Sequence, residues 1–292
     1  MRTGLAAFVA ACALVLVACS SSGASTAPSV AASASQASTP PSTAPSTAPV
    51  SPSGAAVELE IYGAASLKGA LDATKPVYEA SHPGVTLVMS TDASSALETK
   101  IEQGAPASVF LSADTTNPQE LVDKGLTTGP PVNFAKNILT VIVPTANRAR
   151  IKTPADLAKA AVKIIAAEDA VPITKYANML VANLAKQPGY PANYVAAYNA
   201  NVVSKEDNVK AVVAKLELGV GDAGIVYVTD AKASKKVATI DVPLSANVVA
   251  TYAGVVSKAS PNTTAANDFL TWFAGPDGQA ILSGFGFLPP GA

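Results

Sequence analysis

The sequence predicts an α/β protein folded as two lobes with a ligand cleft between them. Three observations predict it. Strand-like and helix-like segments alternate along the chain, the alternation restarts after Asn137, and the chain returns to the first pattern near Asn247. Strands separated by helices of this length imply parallel βαβ units with both sheet faces covered.

The first lobe opens at residues 57–62 (Val-Glu-Leu-Glu-Ile-Tyr), where apolar and polar residues alternate as in a half-buried strand. A helical run follows over 67–81, a second strand over 85–89, a helix over 96–103, a third strand over 109–112 and a helix over 118–124. The second lobe opens on a strongly apolar strand at 138–144. A short helix over 153–160 begins Thr-Pro-Ala-Asp, where Thr153 can cap and Pro154 suits the first helical position. Strand 162–167, helix 173–186, helix 207–218 and strand 224–228 come next. Strand 248–256 returns the chain to the first lobe, and helices over 263–274 and 276–285 close it. The expected organisation is therefore lobe I at 57–138 and 248–292, and lobe II at 139–247. A cleft between lobes is where small ligands tend to sit.

Ahead of this body, Arg2 precedes an apolar stretch from Leu5 to Ala18, too short to span a bilayer as a permanent helix. It ends Leu16-Val17-Ala18-Cys19, small residues before a cysteine, as in a lipoprotein signal peptide. The reading is a signal peptide over 1–18 and lipidation of Cys19. From there to residue 56 the chain is almost all Ser, Ala, Thr and Pro, and no charged residue lies between Arg2 and Glu58. Such a segment buries no apolar surface and serves as a disordered tether. The chain is expected to be exported and lipid-anchored at the outer face of the cytoplasmic membrane, touching the membrane only through Cys19.

Composition narrows the chemistry. Both cysteines, Cys12 and Cys19, fall in the export signal, and His82 is the sole histidine. Zinc sites of Cys and His, and nucleophile–His–acid triads, are nearly excluded. Twenty basic residues against twenty-one acidic ones give no field for nucleic acid. Ser66 and Lys68 can be drawn as a hydroxyl–amine pair, but two residues apart at a helix start they need not face each other, and no clustered carboxylates support them. The expectation is a binding protein, not an enzyme, with no cofactor.

Four strand-to-helix junctions carry small, hydroxylic or amide residues: Ala64-Ala65-Ser66, Asp92-Ala93-Ser94-Ser95, Val171-Pro172-Ile173-Thr174 and Glu206-Asp207-Asn208-Val209. A helix N-terminus carries free N–H groups and about half a positive charge. Several converging on one point make an anion cradle without lysine or arginine. The hydroxyls of Ser66 and Ser94 would add donors, and Tyr227 at a strand end one more. Neutral donors suit a fully deprotonated oxyanion, which accepts from every side and donates nothing back. Taken singly, Ser66, Ser94 and Asn208 are ordinary N-caps, Tyr227 is a core aromatic, and Lys175 is a solvated helix residue. Asp92, Glu206 and Asp207 would repel an anion and are expected to face solvent or pair locally.

Four stretches in register resemble the periplasmic molybdate-binding proteins of ABC transporters. They are Tyr62-Gly-Ala-Ala-Ser-Leu; Ile101-Glu-Gln-Gly-Ala-Pro-Ala-Ser-Val-Phe-Leu-Ser-Ala-Asp; Asp222-Ala-Gly-Ile-Val-Tyr-Val-Thr-Asp; and Phe269-Leu-Thr-Trp-Phe-Ala-Gly-Pro-Asp-Gly-Gln. The resemblance spans 57–290 and implies the two-lobed type II periplasmic-binding fold. It implies capture of molybdate or tungstate for an ABC permease and its ATPase by a monomer; sulfate, phosphate or a small organic anion is the alternative ligand. It also implies that the oxyanion is held through its oxygens by Ser66, Ser94, Ile173, Val209 and Tyr227, with Ala65, Ser95 and Asn208 as further candidates. Two places depart from the family pattern. Val171-Pro-Ile-Thr-Lys stands where the family commonly has Val-Pro-Ala-Gly, which brings Lys175 near the cleft. The serine turn reads Asp-Ala-Ser-Ser, which leaves Ser94 and Ser95 as alternative donors.

Overall fold

A computed structural model describes residues 56–291. The signal peptide expected over 1–18, Cys19 and the tether up to residue 55 lie outside the described residues. In chain order the elements begin with β1 (Val57–Ala64), a 3-10 turn (Ala65–Leu67), α1 (Lys68–Ser81), β2 (Val85–Asp92), α2 (Ser94–Glu102), β3 (Val109–Ser112) and α3 (Thr116–Asp123). The long strand β4 (Val132–Pro144) leads to a 3-10 helix (Pro154–Ala158), β5 (Ile164–Ala167), α4 (Pro172–Leu184), α5 (Tyr194–Ala200), β6 (Val202–Glu206) and α6 (Val209–Glu217). Then come β7 (Gly224–Tyr227), α7 (Val228–Ala233), β8 (Val237–Ile240), β9 (Val249–Val256), α8 (Thr263–Ala274) and α9 (Pro276–Gly284). No helix among the described residues is long and apolar enough to cross a membrane.

The main sheet runs β2-β1-β3-β9-β4-β7, with β8 also on β4, and β5 and β6 pair separately. The expectation of parallel βαβ units holds for β1 with β2, β1 with β3, and β5 with β6. It fails elsewhere: β9 runs antiparallel to β3 and β4, and β4 is antiparallel to β7 and β8. The reason is that β4 works in two registers. Its first part, Val132 to Ile138, pairs with β9, and its second part, from Leu139, pairs with β7 and β8. One strand thus links two portions of sheet, and all three strands paired with it run against it. The sequence placed its start at 138, six residues late. The earlier half reads Val-Asn-Phe-Ala-Lys-Asn, with a register shift between Asn133 and Ala135, so no alternating pattern marked it.

Four short elements escaped the sequence pattern, namely α5, β6, α7 and β8. Each has too few residues to show a period, and packing fixes them instead. Tyr194 and Tyr198 of α5 are buried, and the Tyr194 hydroxyl donates to the Pro154 carbonyl at 2.7 Å. The short helix after Thr153 is 3-10 in form, opened by the Asp156 carboxylate accepting from the Thr153 N–H at 3.0 Å.

The core is continuous from Leu59 and Ile61 of β1 through Val141 and Ile142 of β4 to Ile225 and Val226 of β7. A file of aromatic rings crosses it: Tyr176 meets Tyr227, Tyr227 meets Tyr252 with centroids 5.7 Å apart, and Tyr252 meets Phe134 and Phe287. Gly224 lets β7 lie close to β5, because a Cβ there would stand 2.8 Å from the Ile165 carbonyl oxygen. That approach sets the height of β7, and β7 ends in Tyr227.

Candidate functional site

The strands β1, β2 and β7 end, and the helices α2, α4 and α6 begin, around one small pocket. Ser66, Ser94, Ile173, Val209 and Tyr227 all line it, as do Ala65 and Asn208. Its cavity volume is about 10 Å³, roughly the room that one water molecule needs, so the helix starts and hydroxyls stand close around it. None of the residues lining it is charged.

Each junction contributes in its own way. Ser66 sits in the 3-10 turn between β1 and α1, is 6% exposed, and its Oγ lies 2.9 Å from the Tyr252 hydroxyl. Ser94 is the first residue of α2 and 1% exposed; its Oγ accepts from the Ala113 N–H at 3.0 Å. Neither hydroxyl caps its own helix, so the ordinary N-cap reading fails for both. It succeeds for Asn208, whose Oδ1 accepts from the Ala211 N–H at 3.1 Å. Ile173 follows Pro172 at the start of α4 and so carries that helix's first N–H. Val209 is the first residue of α6. The first N–H groups of a helix have no partner within it.

Ser95 lies elsewhere. It is half-buried and lines an open hollow with Asp92, Thr99 and Asp207, so of the two alternative serines it is Ser94 that reaches the pocket. Lys175 is exposed and does not line the pocket; its Nζ donates to Thr116 Oγ1 at 2.8 Å.

Tyr227 is 1% exposed, and its hydroxyl has no hydrogen-bond partner. A buried hydroxyl left unpaired costs about 1–3 kcal/mol, and this one belongs to a residue that lines the pocket. Burial pushes the phenols of Tyr227 and Tyr252 well above their ordinary value, which keeps both protonated as donors.

The acidic residues nearby are neutralised locally. Burial works to raise the Asp92 carboxyl, but the Ala93 N–H, Lys100 and Asn208 outweigh it and hold it below the usual carboxylate range. Glu206 is paired with Lys215 at 2.6 Å, and Asp207 is exposed. Asp230, fully buried in α7, lies 3.1 Å from Lys210 Nζ, an ion pair whose alignment falls short of a hydrogen bond. Burial raises its carboxyl, against the pull of that lysine.

Ser66 and Lys68 do not form a pair: Lys68 bridges to Asp72 at 2.9 Å, and the Ser66 hydroxyl meets Tyr252. Among the described residues no group of three or more His, Cys, Asp or Glu is placed to hold a metal ion. A larger open hollow between α4 and α5 also exists, with the Lys205–Asp169 ion pair at 2.5 Å on its wall, and none of the four helix starts but that of α4 borders it. Behind the pocket, Tyr252 is a contact of Ser66 that the sequence did not point to. It lies on β9, 186 positions from Ser66, and no local motif announces that contact.

The family model for bacterial extracellular solute-binding proteins matches residues 59–288. The chain belongs to that family. This solute-binding protein is 31% identical to the molybdate-binding protein ModA of Mycobacterium tuberculosis over 240 residues, covering 82% of this chain and 87% of that protein. Among solved structures it is similar to the substrate binding domain assigned to a molybdenum ABC transporter from Clostridium difficile, at 30% identity and a TM-score of 0.59. That match covers 80% of this chain and 99% of the other. It shares its fold with the sulfate-binding protein SubI of Mycobacterium tuberculosis at a TM-score of 0.71 and 20% identity, over 80% of this chain and 87% of the other. The fold is the two-lobed one of periplasmic binding proteins.

Proposed function

We propose that this solute-binding protein captures molybdate or tungstate for an ABC importer. The observation that carries the reading is the Tyr227 hydroxyl, buried and unpartnered on a pocket whose walls hold uncharged donors and no charged side chain. A doubly charged tetrahedral oxyanion suits such a pocket. It accepts at every vertex, and it meets the hydroxyls of Ser66, Ser94 and Tyr227 together with the main-chain N–H groups of Ile173 and Val209. Helix dipoles supply the positive field that lysine or arginine supplies elsewhere. The ion would be held through its oxygens, without metal–protein bonds and without a cofactor. The named relatives support the same ligand.

A smaller ion such as sulfate would not reach all donors at once, and each unmet buried donor weakens binding. In this reading the lobes are residues 57–138 with 248–292, and residues 139–247, joined near Asn137 and Asn247. Their partners are an ABC permease and its ATPase, and the protein acts as a monomer. The role in this reading is binding, as the solute-binding family supports. Export through the segment at 1–18, lipidation of Cys19 and a tether to residue 56 would hold the body at the outer face of the cytoplasmic membrane.

Calorimetric titration of the purified body with molybdate, tungstate, sulfate and phosphate tests the ligand. Saturable heat with the first two, and tighter binding than for the others, is the expected result. No heat with molybdate or tungstate would contradict the reading.

A further inference from the structure

Lys210 reaches from the first turn of α6 to a buried carboxylate on α7. That carboxylate, Asp230, is 0% exposed, and neither of its oxygens has a hydrogen-bond partner. Lys210 Nζ stands 3.1 Å from Oδ1. A lone buried pair of this kind is weak evidence for stability, because taking two charges out of water offsets much of their attraction. What it does supply is a directional link between two helices at a fixed spacing.

The two ends of the link adjoin two donors of the pocket. Lys210 follows Val209, which opens α6 and lines the pocket. Asp230 is the third residue of α7, and the N-cap of that helix is Tyr227, whose buried hydroxyl is unpartnered. Neither Lys210 nor Asp230 lines the pocket itself. Farther along, α6 is seated a second time. Val212 and Leu216 crowd Gly224 of β7, where a Cβ would meet their methyl groups at 3.1 and 3.0 Å. That apolar contact sets how closely α6 lies on β7 but leaves its first turn free to tilt. The ion pair removes that freedom at the end where Val209 stands.

We infer that Lys210 and Asp230 are positioning residues that fix the spacing between the Val209 N–H and the Tyr227 hydroxyl, and so set the size of oxyanion that meets both. This rests on the oxyanion reading of the pocket and adds to it the device that gauges the ion.

The test is calorimetry with molybdate and sulfate on wild type, Asp230→Asn, Asp230→Asn combined with Lys210→Met, and Lys210→Arg, with a melting curve for each. Asp230→Asn keeps the shape and removes the link. Molybdate affinity should fall by about tenfold and sulfate affinity by less, which narrows the preference. A role in stability alone would lower the melting temperature and leave affinity and preference where they were. The combined variant should match Asp230→Asn to within about twofold, because Lys210 acts only through its partner. Lys210→Arg keeps the charge and the reach, and should recover affinity to within about threefold of wild type. An Asp230→Asn protein that binds both ions as wild type does, or a further loss in the combined variant, would overturn the inference while leaving the oxyanion reading intact. Should Asp230→Asn fail to fold, Lys210→Met combined with Asp230→Leu serves, since an apolar pair often holds a fold as well as the ions did. The same tenfold loss is expected there, and wild-type affinity would again overturn the inference. A wild-type protein that binds neither molybdate nor tungstate overturns the functional reading itself, an outcome seen before any variant is compared.

Discussion

The side-chain amide of Asn208 donates to Oδ1 of Asp92 at 3.2 Å, across 116 positions of sequence. Asp92 ends β2, and Asn208 caps α6. The pair thus joins the end of β2 to the start of α6 beside the pocket, which Asn208 lines. Asn208→Asp would keep the helix cap, since a carboxylate also accepts from the Ala211 N–H, but it sets two like charges against each other. Molybdate affinity measured by calorimetry should fall by at least about tenfold. Unchanged affinity would mean that the pair does not position the start of α6 for binding.

Tyr227→Phe separates binding from stability. The hydroxyl has no partner in the protein, so its removal should leave the melting temperature without ligand unchanged or slightly raised. Molybdate affinity should fall by about ten- to a hundredfold, the range of one hydrogen bond to a charged acceptor. A variant that melts earlier yet binds as well would place the hydroxyl in the fold and not in the site.

Lys175→Ala should change molybdate affinity by less than about threefold. The side chain is exposed, lies outside the pocket and touches Thr116 only through its tip, and such surface contacts are worth little. A larger loss would return a basic side chain to the site and weaken the case for neutral donors.

Glu98 offers a test by pH. Its carboxyl is pushed up to about 7, by burial first and then by the neighbouring Glu102, against the pull of Lys124. An acid that holds its proton more tightly in the folded chain adds stability below its ordinary value near 4.5 and loses it as pH rises through about 7. Glu98→Gln keeps the neutral shape. Its melting temperature relative to wild type should therefore climb between those two pH values and level off above. A difference that stays constant across that window would show that Glu98 titrates normally.

The pocket was legible where its residues sit in local motifs. Ser66, Ser94, Ile173 and Val209 stand at helix starts, and a helix start is written in a few consecutive residues. Tyr227 ends a strand of four buried residues, also a local signal. Ser94 and Ser95 could not be separated because both stand in the first turn of the same helix, and only the Ala113 N–H, which follows β3, shows that Ser94 turns inward. The contacts of Tyr252 with Ser66 and of Asn137 with Thr229 were invisible, since the partners lie 186 and 92 positions apart. The mixed sheet was missed for a related reason: strand direction depends on how the chain crosses in β4, and alternation of strands and helices carries no sign of it.

Anomalous scattering from a tungstate co-crystal tests the central claim most directly. One strong tungsten peak is expected in the pocket, its oxygens within about 3 Å of Ser66 Oγ, Tyr227 Oη and the N–H groups that open α4 and α6. A peak seated against lysine or arginine side chains, or none in that pocket, would contradict it.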